Sequence, residues 1–282
     1  MRSRLRLFLA AFALVPLAPS SARADAASGV PFPHPLSTYE TTYILPAYYT
    51  FAPDNAVYGN TLPDNQNLNS MEVKFQISFK AALASQGALK DVYLAYTQNS
   101  FWQLYRDSAF FRETDYQPEL LIIPEYRRGL GAGWELGFHA VPYAHQSNGR
   151  GGTLERSWDR TFAEAIFERS DDARGDRWTV RLRPWIVWRD TAYRRYNPDL
   201  ARYLGYGREA VSYQRGPWEV TLGLQNQVES GFHRGSVEAT VSRFIGTNWS
   251  LYVQYFDGFG QSLIEYNHAT SALGAGFALR TR

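Results

Sequence analysis

Cysteine is absent from all 282 residues. No disulfide can staple the chain, so its stability must come from other means. Beyond the first two dozen residues there is no run of eighteen apolar residues, and a later membrane-spanning helix is therefore excluded. Charge of one sign is also missing: 29 Lys+Arg stand against 27 Asp+Glu, a formal balance of +2. Such a balance gives no reason to expect a nucleic-acid partner. No domain linker, solenoid repeat or low-complexity tract interrupts the chain, which is long enough for one large β domain.

What is present begins with an address. Arg2, Arg4 and Arg6 precede an apolar run from Leu7 to Ala18, and Ala22-Arg23-Ala24 has the small-x-small form of a cleavage site. Residues 1–24 read as a secretory signal peptide, cut before Asp25, leaving 25–282 as a single exported domain. The whole chain is aromatic-rich, at 16% with 19 Tyr and 8 Trp, yet its mean hydropathy is only −0.37. An export signal, a polar average and many aromatics together suggest an outer-membrane β-barrel, apolar outside and polar inside.

The hydrophobic period is two. Met71, Val73, Phe75, Ile77 and Phe79 alternate with Glu72, Lys74, Gln76, Ser78 and Lys80. Trp178 to Trp188 and Trp218 to Val228 repeat the pattern, and Val237 to Val241 and Trp249 to Tyr255 do so more briefly. Each is a strand with one apolar side. Polar or tight turns separate them at 171–176, 215–217 and 246–248. In lipid, strands must close on themselves to satisfy every backbone group. The expected fold is an all-β, closed antiparallel transmembrane barrel; at about twenty residues per strand and connection it has roughly ten to fourteen strands.

One segment carries chemistry. From His145 to Arg160 the chain reads HQSNGRGGTLERSWDR. Residues i and i+2 of a strand share a face, so His145 and Ser147 point together, and Asp159 can return beside them on the next strand. These are the parts of a nucleophilic hydroxyl, base and acid. By parity Val141 and Tyr143 join His145 and Ser147 on the lipid-facing side, as Ala163, Ala165 and Phe167 join Asp159. An enzyme acting on membrane lipids would put its nucleophile there. Residues 148–152 offer backbone N–H groups to an oxyanion. Glu155 offers a hard oxygen suited to Ca²⁺, although spacing alone favours an ion pair with Arg150, Arg156 or Arg160.

The chain resembles the outer-membrane phospholipase A family of Gram-negative bacteria. HQSNGR and RSWDR carry the likeness first. Tyr96-Thr97-Gln98 with Trp102-Gln103, Phe111 to Tyr116, Val180 to Trp185, Asn197-Pro198-Asp199, Tyr203 to Tyr206 and Gly260 to Asn267 extend it. The resemblance implies about 12 strands and hydrolysis of phospholipid and lysophospholipid acyl esters, with phospholipase A1 and A2 activity. It also implies Ca²⁺ dependence and a homodimer as the active state. His145 matches the family's base, Ser147 its nucleophile, and Gly149 the oxyanion position. Asp159 stands where better-known members carry Asn. Arg150 matches a residue giving its carbonyl to calcium. Glu155 replaces a serine ligand, and Ser108 aligns with the ligand that crosses from the second subunit. Gln98 and Trp102 match residues near the dimer contact. Without that resemblance, a non-catalytic barrel (a small pore or structural protein) and a soluble β-protein binding an apolar ligand remain as alternatives.

Overall fold

The computed structural model describes residues 36–171 and 173–279. The signal-peptide expectation for 1–24 lies outside them. Twelve antiparallel strands run in chain order: β1 (Tyr43–Thr50), β2 (Met71–Ala82), β3 (Val92–Trp102), β4 (Phe111–Ile122), β5 (Trp134–Ser147), β6 (Ser157–Asp171), β7 (Asp176–Trp188), β8 (Gly207–Arg215), β9 (Trp218–Gln225), β10 (Ser236–Ile245), β11 (Trp249–Phe259) and β12 (Ala269–Leu279). Each pairs with its sequence neighbour, and β12 returns to β1 through Ala275↔Ala47. The sheet is a closed barrel without a free edge, as lipid demands. Two short pieces, Ser37–Thr38 on β2 and Arg127–Gly131 on β5, extend it at one end.

Alternation decides what faces lipid. Trp178, Leu182, Ile186, Val220, Leu222 and Val253 are exposed on the outer wall, whereas Glu72 and Lys74 are buried within. Inside, Arg112 donates to Glu72 at 2.7 Å and to Glu265 at 2.7 Å. Removing such charges from water is costly unless every one finds a partner. The Lys74 ammonium donates to Gln254 at 2.8 Å and lies over the rings of Tyr48 and Phe101.

The two ends differ. Tight turns at 173–175, 216–217 and 246–248 mark one end, and long excursions at 51–70, 103–110, 148–156, 189–206, 226–235 and 260–268 mark the other. Short turns face the periplasm and long loops the exterior. Residues 260–268 fold back into the outer mouth. Their Leu263 N–H donates to Asp115 at 3.0 Å, and Ile264 and Glu265 are fully buried. Gly260 has φ +76, and a Cβ there would meet Leu204 at 2.3 Å. Over this plug lie α2 (Thr191–Tyr196) and α3 (Leu200–Leu204), introduced by the Asp190 side chain accepting from Tyr193 N–H. The first helix of the chain, α1 (Asn55–Tyr58), sits in the 51–70 excursion. Tyr193, Leu200 and Leu204 pack with Trp158, Trp185 and Leu263. Below them a polar cavity of about 1210 Å³ runs to the turn end, near Gly175 and Leu279.

Candidate active site

β5 and β6 place the candidate side chains. His145 pairs directly with Asp159, and Ser147 with Ser157. The imidazole Nδ1 lies 2.8 Å from Asp159 Oδ1. The His145 side chain is 34% exposed and that of Asp159 15%, so the pair is open to a lipid approaching the wall yet partly shielded. With Nδ1 engaged by a carboxylate, Nε2 is the nitrogen left for a proton acceptor's role. Ser147 lies two residues along the same outward row, at the exterior end of β5, with Tyr116 of β4 as its other cross-strand partner.

Tyr143 belongs to this site, a contact that the sequence reading did not assign. Its phenol donates to the same Asp159 Oδ1 at 2.9 Å. Its ring packs against Trp188 with centroids 5.4 Å apart, and Trp188 Nε1 in turn donates to Thr161 Oγ1 at 3.0 Å. The outward parity of Tyr143 with His145 was the signal available.

Val141 departs from the expected parity. It is buried in the interior cluster, while Tyr143 is exposed on the wall. The β5–β6 register shifts by one between Val141↔Phe162 and Ala144↔Arg160. Pro142 sits in this bulge, where a residue without an N–H costs the ladder nothing. Ala163, Ala165 and Phe167 do share the Asp159 face, alternating with buried Phe162, Glu164 and Ile166.

The loop after Ser147 is tied by Asn148. Its Oδ1 accepts from the backbone N–H groups of Arg150 (3.3 Å) and Arg156 (3.0 Å), and its Nδ2 donates to Leu154 O at 2.8 Å. Gly149 adopts φ +64, and a Cβ there would meet the Tyr116 ring at 3.0 Å. Only glycine fits that turn without strain.

The arginines near Glu155 are occupied elsewhere. Arg150 Nε donates to Glu113 at 2.9 Å and its Nη2 to the Arg112 carbonyl. Arg156 Nη1 donates to the Thr153 and Glu155 carbonyls. Arg160 donates to Gln117 and Gln146. The ion pair favoured by spacing therefore does not form: among the described residues no cation pairs with the Glu155 carboxylate. Two hard oxygens, that carboxylate and the Arg150 carbonyl, belong to residues of this loop, and oxygens of this kind suit a divalent cation. No cluster of three or more acidic or imidazole groups forms a metal site among the described residues. Ser108 lies exposed in the 103–110 excursion.

Gln98 shares a row with Ser147, through the pairs Gln98↔Tyr116 and Tyr116↔Ser147. Two strand spacings, about 10 Å, separate them. Gln98 accepts from Tyr96 OH at 2.8 Å and donates to Ser100 Oγ at 2.9 Å, so its amide is satisfied on the lipid face. Trp102 stacks on Phe111 at 5.3 Å. On the water side, burial and the Asp199 carboxylate it donates to at 2.5 Å raise the Tyr266 phenol well above its ordinary pKa; it stays a donor at the loop base.

A closed barrel with hydroxyl, imidazole and carboxylate on its outer wall defines an outer-membrane protein whose candidate chemistry is nucleophilic. The profile of the Phospholipase A1 family matches residues 25–279. The phospholipase A1 of Klebsiella pneumoniae is 36% identical over 255 residues, covering 88% of this chain and 83% of that protein. That of Escherichia coli K12 is 33% identical over 254 residues, covering 88% and 82%. Among solved structures, outer membrane phospholipase A from Escherichia coli superposes with a TM-score of 0.75 at 30% identity, over 87% of this chain and 98% of that one. The Salmonella typhi outer membrane phospholipase dimer with bound calcium matches at 0.75 and 31%, over 88% and 93%. The chain belongs to the phospholipase A1 family, an enzyme family carried on twelve-stranded barrels of the Gram-negative outer membrane.

Proposed function

We propose that this chain hydrolyses the acyl esters of phospholipids and lysophospholipids, as A1 and A2, with Ser147 as nucleophile. The observation that carries this reading is the 2.8 Å contact between His145 Nδ1 and Asp159 Oδ1, one row position from Ser147 on the lipid-facing wall. His145 Nε2 takes the proton of Ser147 Oγ as Oγ attacks the ester carbonyl. The Gly149 N–H faces the oxyanion. Collapse breaks the bond to the glycerol oxygen, which leaves with the proton from His145. Water, deprotonated by the same imidazole, then cleaves the acyl-serine and restores the hydroxyl. Asp159 holds the ring tautomer and stabilises the imidazolium, as the family's usual Asn does only through its hydrogen bond.

Calcium dependence belongs to the same proposal. The Glu155 carboxylate and the Arg150 carbonyl would hold Ca²⁺, with Ser108 of a second copy completing the donors. The bound ion would supply positive charge near the developing oxyanion. Gln98 lies on the outer row of the nucleophile, with Trp102 farther along its strand, so a homodimer through that wall would bring the second copy beside the site. The calcium-bound dimer of the Salmonella typhi relative supports this assembly.

The test is fatty-acid release from phospholipid in mixed micelles. Ser147→Ala is expected to abolish it while the barrel still migrates as folded on an unheated gel. Undiminished release by that variant removes Ser147 from the mechanism.

A further inference from the structure

The β7–β8 excursion carries four exposed arginines, Arg189, Arg194, Arg195 and Arg202, on and beside α2 and α3. None forms an ion pair among the described residues. The two carboxylates within the excursion are used internally: Asp190 caps α2 by accepting from Tyr193 N–H at 2.8 Å, and Asp199 accepts from Tyr266 OH. Four arginines against two carboxylates leave the excursion at a formal +2. Among the described residues, Arg189 alone of the four makes a side-chain hydrogen bond, to Tyr206 OH at 2.7 Å.

This excursion is fastened to the candidate site. Trp188, just before Arg189, pairs with Asp159. Ser157 pairs with Ser147 and receives the Asn197 side chain on its N–H at 2.9 Å. Asn197, between Arg195 and Arg202 in the chain, thus touches the strand neighbour of Ser147, whose backbone lies one strand spacing or about 5 Å away. The arginines stand on the water side of the row, the level at which a glycerolipid carries its phosphate when its acyl ester lies at the wall.

We propose that Arg194, Arg195 and Arg202, with Arg189 at their base, form a cradle for the phosphate of the lipid being cleaved, and so set a preference for phosphate-bearing esters. The proposal rests on the reading of Ser147, His145 and Asp159 as the cleavage site. Guanidinium suits the task because its planar donors match phosphate oxygens in pairs, and its charge does not titrate away. The outer leaflet's phosphorylated glycolipids have the same chemistry, but the excursion's tie to the catalytic row favours the substrate.

The experiment compares kcat/KM on a phospholipid with that on the diacylglycerol of identical acyl chains, in uncharged detergent, for the wild type and for the triple variant Arg194→Gln, Arg195→Gln, Arg202→Gln. The wild-type ratio should exceed that of the variant by about tenfold and should fall with added salt. The triple Lys variant should keep much of the preference. An equal ratio in wild type and Gln variant overturns the cradle. So does a variant that loses competition by lipopolysaccharide while its ratio stays put. Equilibrium binding of Ser147→Ala protein to micelles of each lipid, with and without the Gln triple, reads the preference without turnover. If the wild type cleaves neither ester, the cleavage-site reading fails, and this binding comparison alone decides the cradle.

Discussion

Arg150, in the loop after β5, donates at 2.9 Å to Glu113, a carboxylate with no exposure. One end of this pair belongs to the loop that carries Gly149. The other shares β4 with Arg112, whose guanidinium holds Glu72 and Glu265. The loop that follows Ser147 is thus fixed by the interior and by the plug together.

Glu113→Gln is expected to lower fatty-acid release by tenfold or more with little loss of fold. Glu113→Ala should in addition cost about 2 kcal/mol, since it leaves the partly exposed Arg150 guanidinium without its carboxylate. Urea unfolding of both variants in detergent, beside their kcat values, separates the two effects. A Gln variant with wild-type turnover would leave the pair a purely structural tie.

Tyr143→Phe removes one of the two donors to Asp159 Oδ1 and leaves the ring against Trp188. A single such hydrogen bond is worth about 1 kcal/mol, so kcat should fall roughly fivefold with KM little changed. A rise in KM alone would mean the phenol contacts lipid rather than the carboxylate.

At position 159 the order of activity should be Asp, then Asn, then Ala. Asn keeps an oxygen for His145 Nδ1–H and loses only the charge that stabilises the imidazolium; Ala loses both. Steady-state rates across the three variants check this ranking, and Ala equalling Asn would dismiss the acceptor role.

Chelation of Ca²⁺ should silence the wild type, and re-addition should restore it. Glu155→Gln should raise the calcium concentration needed for half-activation by about tenfold, as one anionic oxygen is lost. Calcium titration of activity and of heat release supplies the measurement; turnover in excess chelator would remove the ion from the reaction.

Glu40 enters the lumen ahead of β1 and accepts from Arg183 at 2.7 Å. Burial alone would raise its pKa, but Arg183, with Arg181 behind it, overrides burial and holds the carboxyl below its ordinary value. Stability from such a group is complete above that ordinary value and is lost as pH falls through the lowered one. Glu40→Gln should therefore cost roughly 1–2 kcal/mol near neutral pH, and the gap to wild type should close only in acid, below about pH 4. Thermal unfolding across pH tests the sign: a gap that widens in acid contradicts it.

Much of the barrel can be read residue by residue. Met71 to Lys80 and Trp178 to Trp188 alternate because lipid lies on one side and a polar lumen on the other, and both are strands. The spacing of His145 and Ser147 sets them on one face for the same reason. Alternation fails at Val141, where the bulge at Pro142 turns the chain inward, because a register shift depends on the neighbouring strand. The partners of Arg150 and Arg160 were equally hidden. Spacing offered Glu155, whereas Glu113 lies 37 residues and Gln117 43 residues away.

By itself the sequence determined the two-residue period of several strands, three of the turns between them, and the presence of a hydroxyl, an imidazole and a carboxylate within fifteen residues. Those are properties of short windows, set by backbone geometry and by the solvent on each side. Tertiary structure alone decided that Asp159 meets His145 on one rung, that Tyr143 shares its oxygen, and that Arg150 is anchored in the lumen. Cross-strand register exists only once neighbouring strands have paired, and interior pairing only once the barrel has closed, so neither is a property of a short window of chain.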